Sequence, residues 1–122
     1  MFEVVLVSQE GQSFSEQVDR LTFVSLDGQQ TLLTKHMPIK IALANGKGYY
    51  LKANQKVEFY HSQGLLKFKD DQAVLLLADF VFKMDLTETL AREKIDQLLE
   101  VNSKSNHAKL SFWEFCLNTI EK

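Results

Sequence analysis

Cysteine, proline and tryptophan each occur once in this 122-residue chain, and glycine only five times. A single cysteine, Cys116, excludes an internal disulfide framework and any multi-cysteine zinc site, and it fits a reducing compartment. There is no glycine-rich phosphate loop, no Gly-x-Ser-x-Gly elbow and no His-Glu-x-x-His pair. Long hydrophobic runs are missing as well. The longest, residues 73–78, has the length of a strand, against the ~20 residues that cross a bilayer. The opening "MFEVVLVSQEG" carries Glu3 where a signal peptide would be basic, so a cytoplasmic protein is expected, with any membrane connection made through a partner. Nor is there an excess of one charge: 14 basic against 16 acidic residues give a net charge of −2. That balance excludes the concentrated basic face of a nucleic-acid binder.

What is present is ordinary for a globular domain with one modest core: 45% hydrophobic and 25% charged residues. The first two thirds carry strand signals. "FEVVLV" runs to a turn at Gly11. "SEQVDRLTFVS" sets Leu21 and Phe23 on one face and Arg20 and Thr22 on the other. Asp27-Gly28 reads as a two-residue hairpin connection. "QQTLLT", "PIKIALA", "GKGYYLK", "QKVEFYH", "LLKFK" and "AVLLLADFVFK" follow, separated by Asn45-Gly46, Asn54, Gly64 and Asp70-Asp71. Short strands at this spacing predict an antiparallel sandwich or barrel; in a sandwich two sheets bury their inner faces against each other.

Near Lys83 the period changes. Leu86, Leu90, Ile95, Leu98 and Leu99 form a helical stripe, with Asp85 and Glu88 as a capping box. A polar break at 101–107 separates this helix from a second. Ser111 and Glu114 form another capping-box pattern there, and Phe112, Trp113, Cys116, Leu117 and Ile120 a broad apolar stripe. So small a hairpin must fold onto the sandwich or onto another protein. The fold class is thus mainly β with a helical tail: a sandwich over residues 1–84 and a two-helix hairpin over 85–122.

Catalytic groups do not gather in this pattern. His36, His61 and His107 are far apart and lack ligand spacing, so no metal site is expected. Cys116 lies on an apolar stripe and reads as an inert thiol. Trp113 with Phe112 and Phe115 is either an interface anchor or the packing of the last helix on its own domain. The exposed lysines read as a solvated face. In "LLTKHMPIKIAL", Pro38 ends one strand and aims the next.

The order of these features resembles the epsilon subunit of F-type ATP synthases, called delta in mitochondria. Phe14-Ser15 and Val18 match the family's opening strand pair. His36 and Pro38 match its "H-x-P", Gly46 or Gly48 the following glycine, and "VLLLAD" and "DLTETLA" the last strand and the helix start. The resemblance implies a sandwich of about ten strands followed by a helical hairpin. It implies a rotor part with no active site and no cofactor, held by the gamma subunit above the c-ring on the cytoplasmic face of a bacterial membrane. Ser8, His36, Pro38 and Ile41 would approach gamma, and Asp27, Gly28, Gln29 and Gln30 the c-ring loops. Alternatively, His36 simply satisfies a backbone group in the bend.

Departures from the family are specific. Lys35 and Thr34 replace the glycine and proline before the histidine, which predicts another backbone path, and paired glycines are reduced to "SQG" at 62–64. Thr87 and Leu90 stand where many relatives carry an acid and an arginine linked with ATP binding; leucine cannot pair with phosphate. ATP sensing through that motif is therefore not expected. The resemblance also implies a helical tail that brakes ATP hydrolysis; here the second helix is short and carries no basic face, so a weakened regulatory tail is expected, with the hairpin folded down. Two other readings remain: a diverged paralogue in an F-type-like ATPase with a non-standard base, and a free-standing sandwich that binds through Tyr49, Tyr50, Phe59 and Tyr60.

Overall fold

Alternating side chains become paired ladders through most of the first 82 residues. The computed structural model describes residues 1–35, 37–100 and 106–121; His36 lies outside the described residues. Among the described residues ten strands are formed: β1 Phe2–Ser8, β2 Ser13–Val18, β3 Arg20–Ser25, β4 Gly28–Leu33, β5 Ile39–Leu43, β6 Gly46–Lys52, β7 Gln55–His61, β8 Gly64–Lys69, β9 Gln72–Leu77 and β10 Phe80–Phe82. A 3₁₀ turn, Lys83–Asp85, leads to α1 Glu88–Glu100, and α2 His107–Glu121 follows.

Hydrogen bonding runs in the order β10-β7-β6-β3-β5-β8-β9-β1-β2, with β4 also on β3. β3 and β5 share only the Ser25–Leu43 pair, so the sheet curls there into two facing halves. All pairings are antiparallel except β1 with β9, which run parallel. β1 slots between β2 and β9, whereas an all-antiparallel sandwich was expected.

The core lies between the halves. Phe2, Val4, Leu6, Leu21, Phe23, Phe59, Leu66, Phe68 and Leu75 are all at most 2% exposed. Phe2 meets Phe68 edge-on at 5.5 Å, and Phe14 meets Phe82 at 4.8 Å. The fully buried rings of Phe2 and Phe68 each contribute roughly 1.5–3 kcal/mol.

The turns explain the register. The β6–β7 connection is Ala53-Asn54 and the β8–β9 connection is Asp70-Asp71, all four at φ between 51° and 65°. Positive φ at both central residues is the type I′ turn, whose twist suits a hairpin. At β3–β4 the tip is Leu26-Asp27, not Asp27-Gly28, because Ser25 pairs with Gly28, which takes φ +116°. Gly64 answers a different need: a Cβ there would lie 2.1 Å from the Leu76 carbonyl oxygen.

Two stretches that read as continuous in the sequence break into separate strands. "AVLLLADFVFK" splits into β9 and β10 at Ala78-Asp79. The Ser62 Oγ accepts both N–H groups of that corner, at 2.8 and 3.1 Å, and the Asp79 carboxylate accepts the Phe80 N–H at 2.9 Å. "SEQVDRLTFVS" splits likewise at Asp19, whose carboxylate accepts the Ala53 N–H. These local polar bonds replace the ladder bonds that the bend removes.

Both expected helix starts are corrected. Thr87, not Asp85, caps α1: its Oγ1 accepts the Leu90 N–H at 3.1 Å, while Asp85 belongs to the 3₁₀ turn. α2 begins at His107, so Ser111 lies inside it. Lys35 adopts φ +66° and donates its N–H to Asp71 Oδ1 at 3.0 Å. The lysine thus takes the left-handed path that glycine follows without cost.

Candidate functional site

The apolar faces of α1 and α2 close over the outer side of β7 and β10. Ala91, Phe112 and Cys116 are fully buried against Tyr60 and Val81. The Trp113 Nε1–H donates to Asp79 Oδ2 at 2.9 Å, the same carboxylate that caps Phe80. Asn45 donates to Ser111 Oγ at 2.9 Å, and the Lys109 ammonium meets Glu10 at 2.6 Å. That ion pair holds the Glu10 carboxyl below its usual range, chiefly through the hydrogen bond from Lys109. Of the expected tail interface, Trp113 and Phe112 face the chain's own sandwich, and half-buried Phe115 packs edge-on against Tyr60 at 6.3 Å. Burial pushes the Cys116 thiol up to about 12, so it stays protonated and unreactive.

His61 belongs to the same end of the sandwich and is fully buried. Its Nε2 accepts the Val24 N–H at 3.1 Å, and Nδ1 lies 3.2 Å from the Ser62 carbonyl. The ring is therefore neutral, with its proton on Nδ1. Burial pulls its pKa down to about 4, against smaller opposing effects of Ser62 and Ala44. It is a structural histidine. No group of three metal-ligating side chains exists among the described residues.

The other half of the sandwich has an uncovered outer face. Register places Ala42, Leu65, Leu76 and Val7 in one row across β5, β8, β9 and β1, and Val74 and Val5 in the next. Leu76 is 41% exposed, and Val5, Val7, Leu65 and Val74 are only partly covered. An open groove of about 480 Å³ beside Val7, Leu76, Gln63 and Ala108 extends this surface toward α2. The sequence carried a signal for it that alternation alone passes over. "VVLV" and "AVLLL" are apolar on both faces, as in strands covered on both sides.

The sequence-derived contact residues fall unevenly on this frame. Pro38 is exposed just before β5. Ile41 points into the core, paired with Leu66, and Ser8 is buried, its Oγ accepting the Gln12 N–H at 3.2 Å. Ser8 and Pro38 sit at opposite ends of the β5-β8-β9-β1 run. Asp27, Gly28 and Gln29 are exposed at the β3–β4 tip, with Gln30 half-buried. Ser25 Oγ stiffens that tip, donating to the Gly28 carbonyl and accepting from the Asp27 N–H and the Gln30 amide. The aromatic binding face does not form: Tyr50 and Phe59 line the core, helices cover Tyr60, and half-buried Tyr49 carries Lys56 over its ring.

A two-layer β-sandwich with a docked helical pair and a bare aliphatic flank defines a binding or coupling part of a larger assembly. The family profile of the ATP synthase delta/epsilon chain β-sandwich domain matches residues 1–83. The chain is 30% identical over 121 residues to ATP synthase epsilon chain 2 of Nitrobacter hamburgensis, covering 88% of this chain and 89% of that one. It belongs to the ATP synthase delta/epsilon family. Its fold is also that of a chain in the Euglena gracilis mitochondrial ATP synthase solved with its c-ring (TM-score 0.64, 16% identity, 93% of this chain and 73% of that one). A chain of the Tetrahymena thermophila mitochondrial ATP synthase central stalk and c-ring is similar as well (TM-score 0.57, 15% identity, 94% and 95% covered).

Proposed function

We propose that this chain is a non-catalytic central-stalk subunit that couples the gamma subunit to the c-ring of an F-type ATP synthase, peripheral to the cytoplasmic face of the membrane. The observation that carries the reading is the aliphatic flank of Val5, Val7, Leu65, Val74 and Leu76, left bare while the helices cover the opposite half. Two strands apolar on both faces call for a second protein layer, and gamma supplies it. Pro38 stands at the rim of that contact, with Ser8 and Ile41 supporting it from beneath; His36, outside the described residues, is assigned to it by the family resemblance alone. The Ser25-braced tip, with Asp27, Gly28, Gln29 and Gln30, faces the c-ring. Residues 1–84 form the coupling domain, and 85–122 a tail fixed by Trp113, Lys109 and Ser111. Among the described residues no helix is long and apolar enough to cross a membrane, in keeping with attachment through partners.

A second reading, a paralogue in an F-type-like ATPase with a non-standard base, is favoured by the departures at the contact loop, Thr34 and Lys35 in place of proline and glycine; the ATP-linked pair is lost as well, at Thr87 and Leu90. Thr87 is used as a helix cap, and Leu90 packs in the helix–sheet cluster. Co-expression with the cognate gamma chain tests both readings. A stoichiometric complex that Leu76→Asp disrupts is expected. A wild-type chain that stays monomeric beside gamma would overturn them.

A further inference from the structure

Lys40 and Lys67 face each other directly across the β5–β8 ladder, and Lys69 lies two residues further along β8 on the same side. All three are exposed. Among the described residues, carboxylates pair with Lys47, Lys52, Lys56, Lys83, Arg92 and Lys109, but none with Lys40, Lys67 or Lys69. Three lysines gather around Glu58 alone. On the lysine column's own face, Glu3 is two strands away from Lys69 and is already bonded to Gln72 at 2.6 Å. Like charges set opposite each other in a ladder weaken the sheet, so this column works against the isolated fold.

Its surroundings suggest what offsets that cost. Lys67 is paired on its other side with Val74, so the column borders the bare aliphatic flank. An open groove of about 450 Å³ runs between Pro38, Ile39 and Phe68, with the three lysines along its sides. Neighbouring strand positions put the stems roughly 5–7 Å apart. Carboxylates three or four residues apart on one helix face are spaced about 5–6 Å apart. Lysines on a flat pleat are separate point charges, with none of the planar fork that grips a phosphate.

We propose that the Lys40–Lys67–Lys69 column receives an acidic helical segment of the gamma chain, with aspartates or glutamates three to four residues apart and an apolar side chain seated in the groove beside exposed Pro38 and Ile39. This rests on the reading that gamma docks on the adjoining aliphatic flank. The column sets the register and on-rate of docking, and the flank supplies the contact area.

The test uses the full chain and the cognate gamma chain, with affinity measured from about 0.05 M to about 0.5 M salt, across which surface charges become screened. Lys67→Glu turns the repulsive pair into an attractive one. Its melting temperature should therefore equal or exceed that of wild type, while affinity for gamma falls by about tenfold and loses most of its salt dependence. A wild-type complex whose affinity is indifferent to both salt and Lys67→Glu would overturn the acidic partner while leaving the docking reading intact. Loss of the complex in Leu76→Asp alone would point the same way. No wild-type complex at all would overturn both. Binding to vesicles about one-third phosphatidylglycerol that Lys67→Glu abolishes, with gamma affinity unchanged, would assign the column to lipid instead.

Discussion

Acid should unfold this protein through His61 before most of its carboxylates titrate. The ring is fully buried and neutral, accepting the Val24 N–H on Nε2. A proton on Nε2 would remove that acceptor and leave a charge in the core. The folded pKa is about 4 against an ordinary value of 6.5. Because the folded value is depressed, the stabilisation is complete above pH 6.5 and is lost as the pH falls toward 4, where only the unfolded chain takes up the proton. Linkage over that gap amounts to about 3 kcal/mol in full, of which about 2 kcal/mol is lost between pH 7.5 and pH 5. Urea unfolding at half-unit pH steps measures it. The control is His61→Gln, whose amide oxygen can accept the Val24 N–H but cannot ionise. Wild type should lose about 2 kcal/mol relative to the variant over that range. Parallel curves would refute the assigned tautomer and the neutral ring.

Three further outcomes follow from single contacts. Trp113→Phe leaves Asp79 Oδ2 without its buried donor and should lower stability by about 1–3 kcal/mol in thermal melts, loosening α2 in hydrogen exchange. Lys35→Gly relieves a left-handed lysine and should raise stability by up to about 1 kcal/mol in urea titrations. Millimolar ATP should leave the melting temperature unchanged, because Thr87 and Leu90 are committed to the cap and the helix–sheet cluster; clear stabilisation would mean a nucleotide site elsewhere.

Legibility in the sequence depended on how local each cause was. Strand and helix periods were readable because side-chain direction follows from backbone geometry alone. Asn54 and Asp70-Asp71 marked their turns because these residues tolerate positive φ. The corner at Ala78-Asp79 was not readable. It exists because Ser62, 16 residues away, supplies an acceptor for its N–H groups. The Asp85 and Ser111 capping patterns were well formed but unused, since the 3₁₀ turn and the contact with Asn45 claimed those residues. Ser8 and Ile41 could be aligned with contact positions, yet pairing across β1-β9 and β5-β8 turned both inward.

By itself, then, the sequence determined the strand-rich, two-helix composition and the family, because period, turn chemistry and motif order are local properties of the chain. Only the tertiary structure decided which faces are spent and which are free. Trp113 and Phe112 became interior when the hairpin landed on Tyr60 and Val81, while Val5, Val74 and Leu76 remained outside beside three lysines that pair with no carboxylate among the described residues. An apolar residue is equally apolar on either side of a strand, and only long-range pairing and docking settle which side meets protein and which meets water.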